Sequence, residues 1–307
     1  MSKKIYWLVS IIGILLLGGI VYATSIYQNV STTLETIHEP KIRKVSELRE
    51  TKVELVEKEP ISILLLGVDE RDGDIGRSDT IIVITANPSL ASVKVLSIPR
   101  DTYTEIIGLD KMDKLNHAYA FGGIDMALRS VENLLDIPID YVVQVNMESF
   151  LKIVDSVGGV TVENPSAFTE NGYQFAAGPI HLTGDSALSY VRMRKNDPLG
   201  DFGRQERQKQ VLLAILKEGA SFNSLLNYKD LLASLADNIR TNMTFGQMID
   251  IQKGYKSSLT NVESITLTNG SGKRMDDVWY YVPNDKEMSD VTRTLKEHLE
   301  LLNVQRE

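Results

Sequence analysis

The run Ile61-Ser62-Ile63-Leu64-Leu65-Leu66-Gly67-Val68-Asp69, and beyond a polar stretch Arg77-Ser78-Asp79-Thr80-Ile81-Ile82-Val83-Ile84-Thr85-Ala86, decides the fold. Residues 61–66 and 80–86 are short, apolar and β-compatible, the pattern of buried strands. The loop between them carries Asp69, Asp72, Asp74 and Asp79. Asn87-Pro88-Ser89 is a turn signal, and residues 92–98 read as a third strand. A near-hairpin of central strands with a long loop at one end is a common place for a site.

Working outward, Pro99-Arg100-Asp101-Thr102 interrupts the pattern, and 102–110 read as a minor strand. Ile124, Ala127, Leu128, Val131, Leu134 and Leu135 have helical spacing. Asp136-Ile137-Pro138 ends that helix. A strand over 139–145 and a helix over 147–157 follow, stopped by Gly158-Gly159. This alternation argues for a layered α/β domain. Residues 160–183 are short β or loop pieces punctuated by Asn164-Pro165, Asn171-Gly172 and Gly178-Pro179. Gly184 opens a helix ending near Val191, and a long helix runs from about Asp201, placed to cap it, to Glu218. There Arg204, Arg207, Gln208 and Val211 lie three or four apart and share a face. Helices over 224–237, 244–253 and 286–303, with strands over 262–268 and 278–282, complete the pattern. No internal repeat is visible.

Residues 5–23 form a run of 19 uncharged residues, close to the ~20 that cross a bilayer as a helix. Lys3 and Lys4 precede it, and no Lys or Arg follows until Lys41. The positive-inside bias therefore places the N-terminus in the cytoplasm and the rest outside. A cleaved signal peptide, with Val21-Tyr22-Ala23 as its cleavage motif, is the rival reading. The length of the apolar run favours an uncleaved anchor. The expected organisation is a cytoplasmic tail over 1–4, a transmembrane signal-anchor helix over 5–24, and a polar extracellular spacer over 25–59. The spacer is expected to be partly helical around 41–58. One extracellular domain is expected over 60–307, with no further domain.

The formal net charge of -8 argues against a general nucleic-acid binder. Residues 192–209 depart from this balance: six cations (Arg192, Arg194, Lys195, Arg204, Arg207, Lys209) stand against three acids (Asp197, Asp201, Glu206). That +3 island suits a discrete anion. The chain has no cysteine, which excludes disulfides, thiolate catalysis and cysteine-bound metals. Its four scattered His residues give no zinc-ligand spacing. Asp69 and Asp79 lie at strand ends and reach one point if those strands are neighbours. Mg²⁺ takes one or two carboxylates and phosphate oxygens. Arginine suits a diphosphate because its planar fork meets two oxygens at once. Arg192 and Arg194 alternate and would face the same way in an extended segment. These groups point to phosphoryl transfer to a hydroxyl, with Asp101, Asp72 or Asp74 as the proton acceptor. No Gly-x-Ser-x-Gly elbow and no P-loop is present.

Five ordered motifs resemble the LytR-CpsA-Psr family of bacterial cell-envelope proteins. They are Leu65-Leu66-Gly67-Val68-Asp69, Arg77-Ser78-Asp79-Thr80, Ser97-Ile98-Pro99-Arg100-Asp101-Thr102, Lys114-Leu115-Asn116-His117-Ala118-Tyr119, and Tyr190-Val191-Arg192-Met193-Arg194 through Asp201 to Gln208. The chain is similar above all to the teichoic-acid-transfer members of Gram-positive bacteria. The resemblance implies a three-layer α-β-α sandwich around a mixed sheet. It implies transfer of an anionic glycopolymer from undecaprenyl pyrophosphate to the C6 hydroxyl of N-acetylmuramic acid in peptidoglycan. It implies Mg²⁺, with Mn²⁺ as a substitute, on Asp69 and Asp79, and a catalytic set of Arg100, Asp101, Arg192, Arg194, Asp201 and Arg204. Arg71, Arg77, Lys114, Asn116, Arg207 and Gln208 fall on the substrate side. Apolar residues along 124–154 and 211–226 would line a prenyl-tail cleft, or are ordinary core. Partners implied are the lipid-linked polymer, peptidoglycan, the cell membrane and envelope-synthesis machinery. The competing readings are a pyrophosphatase, a non-catalytic lipid-binding scaffold, and a transcriptional regulator, the last at odds with the membrane segment and the acidic charge.

Overall fold

The computed structural model describes residues 38–39, 42–43, 45–70, 76–194, 197–221 and 239–302. The expected anchor over 5–24 and the helix over 224–237 lie outside the described residues. Among the described residues no helix is long and apolar enough to cross a membrane.

The apolar runs over 61–66 and 80–86 lie in β1 (Ile61–Val68) and β2 (Ser78–Asn87), and these strands pair antiparallel. β3 (Ser92–Ser97) pairs antiparallel with β2. The minor strand expected over 102–110 is a hairpin of β4 (Tyr103–Ile106) and β5 (Lys111–Lys114). Helix α1 (Leu115–Leu135) follows directly, broken at Gly122-Gly123, so the predicted 124–135 helix is its second half. Strand β6 (Tyr141–Asn146) runs parallel to β1 and leads into α2 (Met147–Ser156). A side unit follows: β7 (Val160–Asn164), the hairpin β8 (Phe168–Glu170) and β9 (Tyr173–Phe175), then β10 (Gly178–Leu182) and α3 (Gly184–Arg192). Helix α4 spans Asp201–Ser221. The chain closes with β11 (Ile239–Thr241), α5 (Phe245–Gly254), β12 (Asn261–Thr266), the hairpin of β13 (Ser271–Met275) and β14 (Val278–Val282), and α6 (Asp285–His298).

The central sheet has the order β11-β6-β1-β2-β3-β12 and is mixed. Alternation in β1 and β2 divides their side chains between two cores, as a pleated strand requires. Leu64, Leu66, Ile81 and Val83 face α1 and α6, where Leu128, Val131, Leu135 and Leu295 are buried. Ile61, Ile82 and Ile84 face the opposite way, against Leu212 and Leu213 of α4 and Met248 and Ile251 of α5. Helices thus cover both faces of a mixed sheet, as expected. The apolar positions of α1 beyond Ile124 belong to this ordinary core. A third cluster joins Val154, Val160, Leu182, Tyr190 and Val211 and fastens the side unit to α4.

The described part of the expected spacer departs from that reading. It is neither helical nor separate from the domain. Apart from a 3-10 turn at Leu55–Glu57 it is irregular. Ile42, Val53 and Leu55 are buried in the two sheet cores. Arg49 donates to Asp140 at 2.7 and 2.9 Å, and Arg43 pairs with Glu132. Ser46 Oγ donates to Glu132 at 2.7 Å. Dense charge made the stretch look solvated, yet its charges meet partners far away in sequence.

Candidate anion-binding site

Strand directions bring the C-terminal ends of β1 and β3 and the N-terminal end of β2 to one end of the sheet. Gly67 faces Thr80 and Val68 faces Ser78, so Asp79 is the extra residue of a β-bulge. Bulges re-aim side chains beside sites, and here the Asp79 carboxylate meets Arg100. Gly67 is needed at this junction, because a Cβ there would come within 2.8 Å of Thr80 Cβ. Asp69 follows β1, and its N–H donates to the Arg77 carbonyl at 3.3 Å. Next to it Glu70 accepts from Tyr119 Oη at 2.6 Å and Gln144 Nε2 at 3.0 Å. These bonds fix the start of the acidic loop. Arg71, Asp72 and Asp74 lie outside the described residues.

Arg100 lies three residues past the end of β3. Its Nη1 is 2.8 Å from Asp79 Oδ1, and its Nε is 3.6 Å from Asp101 Oδ2. Lys114 Nζ meets the other Asp101 oxygen at 2.8 Å. Asn116 is buried, and its N–H donates to the Arg100 carbonyl at 3.1 Å. Arg204, in the first turns of α4, meets Asp201 Oδ1 at 2.6 Å. Gln205 Nε2 donates to Asp201 Oδ2 at 3.2 Å. Asp201 therefore holds Arg204 and Gln205 as the helix begins.

Arg100, Arg192, Arg194 and Arg204 line one cleft of about 360 Å³, together with Glu170. Four arginines from three separate stretches of chain converge there. The electrostatics of two of them differ in sign. Burial lowers the Arg100 pKa, but Asp79, by charge and hydrogen bond, with Asp101 and Asp201, outweighs burial and leaves it raised. Burial lowers the Arg204 pKa, and repulsion from Arg100 and Arg194 prevails with it over Asp201 and Asp79. Arginine stays charged nonetheless, so the lowered value reflects burial of the charge first and the neighbouring cations second. An anion in the cleft would offset the cation repulsion. The Nε atoms of Arg100 and Arg204 and Asn116 Oδ1 are buried without a hydrogen bond among the described residues, and such groups are expensive to leave unmet.

Arg192 and Arg194 reach the cleft by a different route from the expected extended segment. Arg192 is the last residue of α3, and Met193, buried between the two arginines, carries the chain out of the helix. Both arginines are exposed, and neither forms an ion pair among the described residues. Arg207 is not at the cleft. It lies beneath it, where Nε donates to the Tyr190 carbonyl at 3.1 Å, Nη2 to the Met193 carbonyl at 2.5 Å, and Nη1 to Asp197 Oδ2 at 2.6 Å. Its guanidinium also stands over Phe168 and Tyr190. Arg207 thus braces the segment that carries Arg192 and Arg194. Gly203 permits this contact, since a Cβ there would lie 1.9 Å from the Asp197 carboxylate. Lys209, also in the basic island, is buried and donates to Ser264 Oγ and Thr266 Oγ1 at 2.6 and 2.7 Å, which docks α4 on β12. Arg77 is exposed, Gln208 is half-buried, and neither lines the cleft. Glu170 went unnoticed in the sequence; its signal was the adjacent Asn171-Gly172 turn.

Fold and cleft together define a class: a mixed α/β domain with an arginine-lined cleft at one end of its central sheet. The chain belongs to the LytR-CpsA-Psr family, since the model of the LytR_cpsA_psr family matches residues 23–297. It is 52% identical over 302 residues to the polyisoprenyl-teichoic acid–peptidoglycan teichoic acid transferase TagU of Bacillus mycoides (strain KBAB4), covering 98% of this chain and 99% of that one. It is similar to the crystal structure of B. subtilis TagU at 45% identity and a TM-score of 0.65, over 79% of this chain and 97% of that one. A structure of TagT bound to LIIa-WTA is similar at 32% identity and a TM-score of 0.72, over 83% and 96% of the two chains.

Proposed function

We propose that this chain is a membrane-anchored phosphotransferase working on the outer side of the bilayer. It moves an anionic glycopolymer of the wall-teichoic-acid type from an undecaprenyl-pyrophosphate carrier to the C6 hydroxyl of N-acetylmuramic acid in peptidoglycan. The observation that carries this reading is the convergence of Arg100, Arg192, Arg194 and Arg204 on one cleft. The teichoic acid transferase activity by which its half-identical relative is named supports the substrate class.

The chain's own residues divide the work. Arg192 and Arg194, exposed and without an ion pair among the described residues, present their forks to the diphosphate and take up its charge as the lipid phosphate departs. Arg100 and Arg204 are held by Asp79 and Asp201, so their head groups are oriented before substrate arrives. Preorganised charge of this kind is usually the largest single contribution to catalysis. Lys114 and Asn116 position Arg100, the first through Asp101 and the second through the backbone.

Asp69 and Asp79 offer oxygen donors from adjoining strand ends, the donor number and type that suit Mg²⁺ when phosphate completes the shell. When bound, that ion would screen the diphosphate and act as a Lewis acid. Mn²⁺ would serve with the same donors. The envelope-synthesis machinery that supplies the donor is the expected partner.

The test combines the purified chain, a lipid-pyrophosphate-linked glycan, Mg²⁺ and a peptidoglycan acceptor. Mass spectrometry should find the phosphodiester product. Release of free polymer with and without acceptor alike would instead identify a pyrophosphatase. Donor binding with no product of either kind would leave only a lipid-binding scaffold.

A further inference from the structure

Among the described residues, the arginine cleft has a single acidic lining residue, Glu170. It is the last residue of β8, pairs with Tyr173 across the hairpin, and precedes the turn Asn171-Gly172. Both turn residues have positive φ, +48° and +81°. Tight two-residue hairpins demand that backbone, and Asn-Gly supplies it at low cost. The hairpin is also anchored from below. The Phe168 and Phe175 rings lie 4.8 Å apart, and they stand 5.6 and 5.4 Å from Tyr190 of α3. Arg207 packs over Phe168 as well. The hairpin that carries Glu170 is therefore packed against the helix that carries Arg192.

Three other described carboxylates near the cleft are committed to cations. Asp79 holds Arg100, Asp101 lies between Lys114 and Arg100, and Asp201 holds Arg204. A carboxylate locked to a cation gains little from taking up a proton. Glu170 faces the same cleft, yet it forms no ion pair and no side-chain hydrogen bond among the described residues. Among the described residues it is the one carboxylate that lines the cleft itself.

We propose, resting on the phosphotransfer reading above, that Glu170 is the general base for the acceptor hydroxyl. The O–H bond of the sugar breaks, and its proton passes to a Glu170 carboxylate oxygen. The sugar oxygen forms the new bond to the phosphorus that bears the glycopolymer. The bond from that phosphorus to the bridging oxygen breaks with its electron pair, and polyisoprenyl phosphate departs into the arginines. Glu170 then returns the proton to solvent. The base and the cations share one cleft, so a hydroxyl held by Glu170 approaches a phosphorus held by Arg192 and Arg194.

The experiment compares the wild-type chain with Glu170→Gln and Glu170→Ala in the transfer assay, alongside calorimetric binding of the lipid-linked donor. General-base catalysis is worth on the order of 10²-fold or more. Glu170→Gln should slow transfer by about that factor and leave donor affinity within about twofold. Added formate should restore a substantial part of the Glu170→Ala rate, because a small carboxylate can enter the vacated space. A merely structural role does not respond to formate. Wild-type transfer with an undiminished Glu170→Gln rate overturns the assignment, as does loss of activity in Glu170→Ala without any formate response. If the wild type binds donor but forms no phosphodiester, the phosphotransfer reading falls and its base falls with it. That result differs from active wild type beside active Glu170→Gln, which removes Glu170 alone.

Discussion

Replacing Asp197 with alanine probes the brace beneath the arginine cleft. The Arg207 and Asp197 side chains are each 6% exposed, and they meet at 2.6 Å. Removing one partner of a buried pair costs about 3–5 kcal/mol, because the other charge is left uncompensated. An exposed pair is worth only about 0–1 kcal/mol. Asp197 also accepts from the Leu199 N–H at 2.7 Å, a bond worth about 1 kcal/mol net. Against this, Arg207 keeps its bonds to the Tyr190 and Met193 carbonyls, which retain part of its satisfaction. The balance is a loss of about 3–4 kcal/mol for Asp197→Ala. Urea unfolding followed by far-UV circular dichroism gives the number. Asp197→Leu combined with Arg207→Met removes both charges and leaves no buried ion behind, so the pair should regain at least half of that loss. A deficit below about 1 kcal/mol for Asp197→Ala would place the pair with surface bridges. A double variant no better than the single would show that the loss is packing rather than charge. Either result refutes the brace.

Three further predictions follow from the same structure. Arg192→Ala and Arg194→Ala should each abolish transfer yet shift stability by no more than about 0.5 kcal/mol, the usual range for exposed positions; a large drop in melting temperature would make them structural instead. His298 is buried between Thr85 Oγ1 and Ser92 Oγ at 2.7 and 2.8 Å, and burial, helped by Lys94, lowers its pKa to about 4. The unfolded chain then binds more protons between about pH 6.5 and 4, so stability should fall by about 2–3 kcal/mol as pH drops through that window, and a His298→Gln variant with an unchanged pH slope would refute the assignment. Chelation with EDTA should cut transfer at least about tenfold, with recovery on adding Mg²⁺, and full activity in chelator would remove the two-carboxylate metal proposal.

The strands were legible because their information is local. β1, β2 and β3 are continuous apolar runs closed by turn residues, and no distant partner is needed to recognise them. The second half of α1 and most of α4 and α6 followed from helical spacing in the same way. The docked segment around Ile42, Val53 and Leu55 was not legible, because three apolar residues among charges have no period. What fixes that segment is a set of partners nearly a hundred residues away, Glu132 and Asp140 among them. The break at Gly122-Gly123 hid the first half of α1 for a related reason: a helical pattern read on one axis loses phase across a kink.

The site shows the same division more sharply, since it sorts identical residue types into opposite roles. The sequence places Arg204, Arg207 and Gln208 on one helical face, and that arithmetic is correct for a helix. It does not say what each guanidinium meets. Arg204 reaches the cleft because Asp201, one turn back, orients it, a short-range effect that spacing can suggest. Arg207 turns away because the Tyr190 and Met193 carbonyls and the Asp197 carboxylate, all on another segment, take every arm of its fork. Arg192 and Arg194 stay open because no described carboxylate comes within ion-pair distance of them, although Glu170 lines the same cleft. Residues 192–209 therefore hold fewer cations open to a ligand than their net charge suggests. Lys209 and Arg207 are consumed in holding the region together. A cation can serve an incoming anion only where the fold withholds a carboxylate from it, and that withholding is a property of tertiary packing, which no local pattern records.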